Sequence, residues 1–78
     1  MSQFLLFGSQ TCQPCKALKG MFESNGFEHE YIDCTERPDL AADYMVMSTP
    51  TLVKVDENKN EIKRATGQGA AFAMSQQG

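Results

Sequence analysis

The sequence predicts a small α/β domain in which a four-stranded mixed sheet is flanked by helices, with the element order βαβ, α, ββα. The chain has 78 residues, of which 41% are hydrophobic and 22% are charged, so we expect a single folded domain over residues 1–78. An apolar run followed by apolar residues at helical spacing predicts a strand and then a helix. Two strand-like runs around a polar turn predict an antiparallel hairpin later in the chain.

The first half of the chain is predicted to form a strand, a helix and a second strand. Gln3–Phe7 is a continuous apolar run, which is typical of a central strand buried on both faces. Apolar residues recur at helical spacing over Pro14–Ser24, and Asn25-Gly26 then predicts the end of that helix. Phe27–Asp33 partly alternates and predicts a strand. Because such crossovers join parallel strands, the first two strands should be parallel.

The second half is predicted to form a short helix, a hairpin and a final helix. Pro38 suits the first turn of a helix, where its missing N–H costs nothing, and an apolar stripe follows it as far as Met45. Thr51–Val55 and Glu61–Thr66 are the two hairpin strands. The sequence GQG at residues 67–69 then predicts a break before a short helix over residues 70–74.

Charge and hydropathy exclude several classes of partner. The formal charge of −3 at pH 7 and the pI near 4.9 give no basic surface for a phosphate backbone, so we expect no nucleic-acid partner. No stretch approaches the ~18 consecutive apolar residues of a membrane span, and the N-terminal MSQFLLFGSQ does not have the pattern of a signal peptide. We therefore expect a monomeric, cytoplasmic protein with no membrane partner.

The chain has three cysteines, of which Cys12 and Cys15 are separated by two residues. An odd count does not suit a secreted disulfide scaffold and points to redox chemistry or to a metal. Cys12 follows the first strand at the entrance to the first helix, and Cys15 lies one turn inside that helix. Because a helix N-terminus favours an anion, we predict that Cys12 is the nucleophile and Cys15 the resolving thiol.

Two segments resemble the thioredoxin/glutaredoxin superfamily: GSQTCQPCK at residues 8–16, after an apolar strand, and STPT at residues 48–51, before the hairpin. The resemblance covers essentially the whole chain and implies the thioredoxin fold. It also implies a cis peptide bond between Thr49 and Pro50 that lies against the cysteine pair. The Thr49 backbone would form strand-like hydrogen bonds with a bound peptide or with glutathione.

Within the superfamily, chain length and the first loop favour a small glutaredoxin-like protein. Thioredoxins typically have Trp immediately before the first cysteine and a buried Asp six residues before it, whereas this chain has Thr11 and Leu6 there and no Trp. Pro14 and the STPT segment look like those of thioredoxins. GQG at residues 67–69 stands where glutaredoxins have a Gly-Gly turn that holds glutathione. Small redoxins that serve ribonucleotide reductase and accept electrons from thioredoxin reductase are a third description.

The expected function is therefore a glutaredoxin-like thiol–disulfide oxidoreductase that reduces protein disulfides or glutathione mixed disulfides through Cys12 and Cys15. We expect no tightly bound cofactor. Glutathione or thioredoxin reductase would be the electron donor, and ribonucleotide reductase is one candidate target. The residues expected to contact the substrate or glutathione are Thr11, Gln13, Pro14, Lys16, Thr49, Pro50, Gly67 and Gln68.

A structural zinc-binding interaction module is the alternative function. Cys12, Cys15, His29 and Cys34 form a Cys-x2-Cys, His-x4-Cys arrangement with the ligand types of tetrahedral zinc. Against zinc, the first two cysteines open an amphipathic helix, and zinc leaves the STPT segment unexplained. We predict no metal ligand, and Cys34 is expected to be a small buried hydrophobic residue.

Overall fold

The elements follow each other in the predicted order βαβ, α, ββα. The computed structural model describes residues 2–77. Its elements are β1 Gln3–Gly8, α1 Gln13–Ser24, β2 Glu30–Asp33, α2 Pro38–Asp43, β3 Thr51–Val55, β4 Glu61–Thr66 and α3 Gln68–Gln77. None of the helices within this range is long and apolar enough to cross a bilayer.

The four strands form one mixed sheet in the order β2-β1-β3-β4. β1 pairs in parallel with β2 and antiparallel with β3, and β3 pairs antiparallel with β4. β1 is therefore a central strand, and its residues from Leu5 to Gly8 are buried. The register places Leu6 opposite Tyr31 on one side and opposite Leu52 on the other. These pairings confirm the predicted sheet.

The two faces of the sheet carry separate apolar clusters, because successive residues of β1 point to opposite faces. One cluster joins the sheet to α1 and α3 and contains Leu6, Leu18, Phe22, Leu52, Ala71 and Met74. The other contains Leu5, Phe7, Ile32, Val53 and Val55, and it is covered by the partly buried Leu40 of α2 and by Tyr44 just after that helix. Truncating a buried Phe to Ala typically costs ~3–5 kcal/mol. Phe22 alone thus contributes strongly to holding α1, and with it Cys15, against the sheet.

The second strand is shorter than predicted, because Phe27–His29 lies outside it. The Phe27 N–H donates to the carbonyl of Phe22 at 2.9 Å, just past the end of α1. The Phe27 ring packs against the rings of Phe4 and Phe22, each at 4.7 Å between centroids. Part of the alternation that predicted a strand therefore reflects aromatic packing at the end of α1.

The short helix α2 ends at Asp43, two residues earlier than the apolar stripe suggests. Met45 adopts a left-handed backbone conformation with φ of 53°. The N–H groups of Met45 and Val46 donate to the carbonyls of Ala42 and Ala41 at 3.0 and 2.8 Å. These hydrogen bonds satisfy carbonyls that the end of the helix leaves open.

The final helix is longer than predicted and begins closer to the hairpin. Only Gly67, with φ of 95°, forms the break, whereas Gln68 and Gly69 are already helical. The Gly67 carbonyl accepts the Ala71 N–H at 2.9 Å, which is the first hydrogen bond of α3. The predicted three-residue break is therefore wrong for residues 68 and 69. Packing against α1 and the sheet stabilises a helix of low amphipathicity that the sequence pattern underestimates.

Candidate active site

The cysteine pair lies where α1 begins, beyond the carboxyl end of β1. Cys12 is the N-cap residue, with an extended backbone at φ −91° and ψ 108°, and Cys15 lies in the first helical turn. The two residues form a disulfide with their Cα atoms 5.2 Å apart. Pro14 also lies in the first turn, where a missing N–H removes no helical hydrogen bond.

The two cysteines differ in exposure and in hydrogen bonding. Cys12 is half-buried, whereas Cys15 has no exposed surface. The backbone N–H of Cys15 donates to Cys12 Sγ at 3.2 Å. The Cys12 sulfur thus accepts a backbone N–H of the first helical turn, and a negative charge on it would be stabilised there. Cys12 is also the sulfur of the pair that a target can reach.

The Thr49–Pro50 peptide bond is cis, as the resemblance implied. Pro50 is buried and directly precedes β3, whose first residue Thr51 pairs with Phe7 near the end of β1. This register places Pro50 at the sheet edge from which the chain continues to the cysteine pair. The Thr51 hydroxyl donates to the carbonyl of Ser48 at 2.7 Å and thereby closes the turn around the cis bond.

Gly67 lies beside this segment, and Gln68 is directed elsewhere. The Gly67 N–H donates to the Pro50 carbonyl at 2.9 Å, so the structure brings these two predicted site residues together. The side-chain amide of Gln68 lies 3.6 Å from Met21 Sδ, on the side of α1.

The other candidate contact residues are at or close to the surface. Thr49 is half-buried beside Pro50. The exposed ones around the cysteine pair are Thr11, Gln13, Pro14 and Lys16. Their roles in binding a substrate stay predictions.

Cys34 follows β2 at the same edge of the sheet and forms no disulfide. Its N–H donates to the Gly8 carbonyl at 2.8 Å, which links the ends of β1 and β2. Burial raises the pKa of the Cys34 thiol, and the negative charge of Asp33 raises it further. At neutral pH this thiol is therefore held mainly in its protonated, less reactive form.

The structure does not support the zinc alternative. The His29 ring packs against Phe22 at 5.0 Å and Phe27 at 6.0 Å, and its Nδ1 lies 2.9 Å from the Phe27 carbonyl. Within residues 2–77, no three His, Cys, Asp or Glu side chains are grouped so that they could hold a metal ion. The four residues of the proposed zinc set are therefore not brought together.

Tyr31 lies near Cys15 and is not among the site residues expected from the sequence. A Cβ atom built on Gly8 would lie 2.6 Å from Tyr31 Oη and 3.1 Å from Cys15 Cβ. The phenol hydroxyl and the base of Cys15 therefore both border the space above Gly8 at the end of β1. The combination of a glycine at this strand end and a long aromatic residue on the neighbouring strand is the sequence signal that could have revealed the contact.

Comparisons with known proteins agree on one family. The family model described as Thioredoxin matches residues 2–77 of this chain. The SPbeta prophage-derived thioredoxin-like protein YosR of Bacillus subtilis is 30% identical over 56 residues, which cover 72% of this chain and 70% of that protein.

Solved structures show the same fold. The thioredoxin of Fasciola hepatica superposes with a TM-score of 0.82 at 22% identity, covering 97% of this chain and 79% of that one. Spinach chloroplast thioredoxin f superposes with a TM-score of 0.81 at 24% identity, covering 97% and 74%. The predicted four-stranded mixed sheet and its flanking helices are thus those of the thioredoxin fold.

Proposed function

This chain belongs to the thioredoxin family, and we propose that it reduces disulfide bonds in other proteins through Cys12 and Cys15. The observation that carries the proposal is the hydrogen bond from the Cys15 N–H to Cys12 Sγ at the start of α1. A thiolate is the attacking form in disulfide exchange, and a helix N-terminus stabilises that form. The chain is thus a thioredoxin-like thiol–disulfide oxidoreductase.

The proposed reaction has two exchange steps. The Cys12 thiolate attacks one sulfur of the target disulfide, forms a mixed disulfide and releases the other target sulfur as a thiolate. The Cys15 thiolate then attacks Cys12 Sγ, forms the Cys12–Cys15 disulfide and releases the second target sulfur. Two electrons pass to the target, and its two sulfurs take up the protons that the cysteine pair has lost to the solvent.

The target peptide is proposed to bind at the edge formed by the cis-proline segment. The Thr49 backbone would pair with an extended peptide as an added strand does. Met47 is 93% exposed just before this segment and offers an apolar contact for the same peptide. Thr11, Gln13, Pro14 and Lys16 would contact the target on the other side of the cysteine pair. Pro50 and Gly67 would support the binding edge from below, because their mutual hydrogen bond joins the two segments.

We also propose that a protein reductase such as thioredoxin reductase, rather than glutathione, supplies the electrons. Of the GQG sequence, only Gly67 lies outside α3, and its N–H is already bonded to the Pro50 carbonyl. Gln68 faces Met21 instead of the binding edge. These contacts leave Gly67 and Gln68 less available to bind glutathione, which supports a protein reductase as the donor.

Trapping a mixed disulfide tests the exchange reaction. A Cys15→Ser variant should form a stable covalent adduct with a disulfide-containing protein, because the second step cannot occur. The matched control is Cys12→Ser, which keeps Cys15 and should form no such adduct. Adducts that form through Cys34 instead would contradict the proposal.

A reductant exchange tests the electron donor. This protein and an excess of a disulfide-containing protein are incubated either with thioredoxin reductase and NADPH or with glutathione, glutathione reductase and NADPH, and NADPH oxidation is followed. We expect rapid turnover in the first mixture only. Turnover in the glutathione mixture would overturn the choice of donor and favour the glutaredoxin-like function expected from the sequence, while leaving the exchange reaction intact.

A further inference from the structure

The proposed reaction requires the buried thiol of Cys15 to carry a negative charge. Cys15 has no exposed surface, yet it must become a thiolate to attack the mixed disulfide in the proposed reaction. Burial away from water disfavours the charged form of a thiol. The backbone N–H of Cys15 is directed at Cys12 Sγ and not at its own sulfur. A second hydrogen-bond donor near Cys15 would therefore stabilise the reacting state.

Tyr31 brings such a donor to the space above Gly8 that Cys15 also borders. Its hydroxyl oxygen and Cys15 Cβ both approach the point at which a Gly8 side chain would begin, at 2.6 and 3.1 Å. The ring packs against the apolar cluster beneath α1, and Lys19 Nζ lies 4.7 Å from the ring centroid. The phenol is thus held between α1 and the end of β1 by contacts on both sides.

Resting on the proposed function, we propose that the Tyr31 hydroxyl donates a hydrogen bond to the Cys15 sulfur in the reduced protein and stabilises the thiolate that resolves the mixed disulfide. In this step, the Cys15 thiolate forms a bond to Cys12 Sγ, and the bond between Cys12 and the target sulfur breaks. The electron pair of the broken bond leaves with the target sulfur. Tyr31 keeps its proton throughout and acts as a donor.

The groups around the phenol are compatible with a donor role. Burial raises the pKa of Tyr31, with smaller contributions from the negative charge of Asp33 and from Cys34, so the hydroxyl stays protonated at working pH. Lys19 of α1 is the positive group against the ring face. Asp33 and Cys34 come from the end of β2, and Cys15 is the thiol that α1 presents. A protonated phenol is a donor to a thiolate at every pH at which exchange occurs.

The test measures the titration of Cys15 with no target present. In a Cys12→Ser/Cys34→Ser background Cys15 is the sole thiol, since the chain has three cysteines. The ultraviolet absorbance of its thiolate is recorded against pH with and without Tyr31→Phe, which removes only the hydroxyl. We expect the thiolate to form at higher pH in the Tyr31→Phe protein.

A second measurement uses the protein with all three cysteines and follows the rate at which Cys15 releases the target from the mixed disulfide. Tyr31→Phe should slow release of the reduced target at neutral pH by about tenfold, the effect of losing one hydrogen bond to a charged group. The rate should recover at high pH, where Cys15 ionises unaided. A purely structural role would lower the rate equally at every pH. The matched control is Tyr44→Phe. The Tyr44 hydroxyl donates to the Lys59 carbonyl at 2.7 Å, on the face of the sheet opposite Tyr31.

An unchanged Cys15 titration in Tyr31→Phe, or an equal shift in Tyr44→Phe, would overturn the proposal. Because the titration needs no target, it gives an answer even if the chain proves unable to reduce proteins. Should Tyr31→Phe fail to fold, nuclear magnetic resonance of the unsubstituted reduced protein replaces it. The Tyr31 ring carbon signals should then change with the ionisation of Cys15, and ring signals that ignore that ionisation would overturn the proposal.

Discussion

The ends of β1 and β2 are neighbours in the sheet, but they place their thiols in opposite environments. Cys12 follows β1 and Cys34 follows β2, and the Cys34 N–H bonded to the Gly8 carbonyl ties the two ends together. At Cys12 the chain enters a helix of 12 residues, and a backbone N–H points at the sulfur. At Cys34 the chain enters a turn. The N–H groups of the turn residues that follow Cys34 are directed at Asp33.

The turn after β2 stabilises a carboxylate where the helix after β1 favours a thiolate. The N–H and hydroxyl of Thr35 donate to Asp33 Oδ1 at 2.8 and 2.6 Å, and these hydrogen bonds lower the pKa of Asp33. The resulting negative charge lies beside Cys34 and adds to the effect of burial in raising the pKa of that thiol. A place at the reactive edge of the sheet is therefore not enough to make a cysteine reactive. Burial and the direction of the surrounding N–H groups together decide whether the thiol can ionise.

The largest expected effect is the loss of activity when the thiol after β1 is removed. Cys12→Ser should reduce the rate of protein-disulfide reduction to the uncatalysed background, because no other sulfur is placed to begin the exchange. Cys34→Ser should leave the rate close to that of the unsubstituted protein, because Cys34 takes no part in the proposed exchange. Both rates are measured with a protein disulfide as substrate and a chemical reductant in excess. Loss of activity in Cys34→Ser would remove the distinction between the two ends.

Gly8 lies where the ends of β1 and β2 meet, and we expect that it does not tolerate a side chain. Gly8→Ala would place a Cβ 2.6 Å from Tyr31 Oη, so we expect a loss of ~1–3 kcal/mol in the free energy of unfolding from overpacking. The matched control is Gly20→Ala in α1, where a Cβ meets nothing within 4 Å. That variant should gain ~0.5–1 kcal/mol, because alanine favours a helix interior. Urea unfolding measures both, and equal stability of the two variants would show that the Tyr31 contact at Gly8 is not tight.

Removing the negative charge of Asp33 should make the reactivity of Cys34 more like that of Cys12. Asp33→Asn keeps the acceptor for Thr35 but removes the negative charge, so the pKa of Cys34 should fall and its alkylation at neutral pH should speed up. We expect about a twofold to fivefold increase, the scale of exposed charge interactions. The change is partial because burial is the larger cause of the raised pKa. An unchanged alkylation rate in Asp33→Asn would show that burial alone suppresses this thiol.

The smallest expected effect is on the acid dependence of stability. Because the pKa of Asp33 is lowered in the folded protein, its ionised form stabilises the fold above the unfolded-state pKa. That contribution is lost as the pH falls through the folded-state pKa. The unsubstituted protein should therefore lose more stability than Asp33→Asn on acidification from neutral pH to about pH 3, measured by urea unfolding. Parallel losses in the two proteins would show that the hydrogen bonds of Thr35 do not favour the charged form.

Sequence patterns predicted the parts of this fold that local order determines. The apolar run of β1, the amphipathic α1 and the two hairpin strands are all in the predicted places. The start of α1 at the cysteine pair followed from the same pattern. These features depend on residues close together in the chain.

The parts that local patterns could not predict depend on contacts between distant segments. Phe27 reads as a strand residue, but its ring packs against Phe4 and Phe22 at the end of α1. Gln68 and Gly69 read as loop, but packing of α3 makes them helical. Tyr31 is absent from the predicted site residues because only the parallel register of β1 and β2, together with the missing side chain of Gly8, brings its hydroxyl near Cys15.

The difference between the two strand ends is tested most directly by alkylating the reduced protein over a range of pH and measuring each cysteine separately. Short exposure to iodoacetamide, followed by mass spectrometry of the peptides that contain Cys12 and Cys34, gives the two rates in one sample. The structure predicts that Cys12 is alkylated at a pH well below that at which Cys34 reacts. Alkylation of Cys34 at the same pH as Cys12, or at a lower pH, would contradict the claim that the N–H groups at the start of α1 select the reactive thiol.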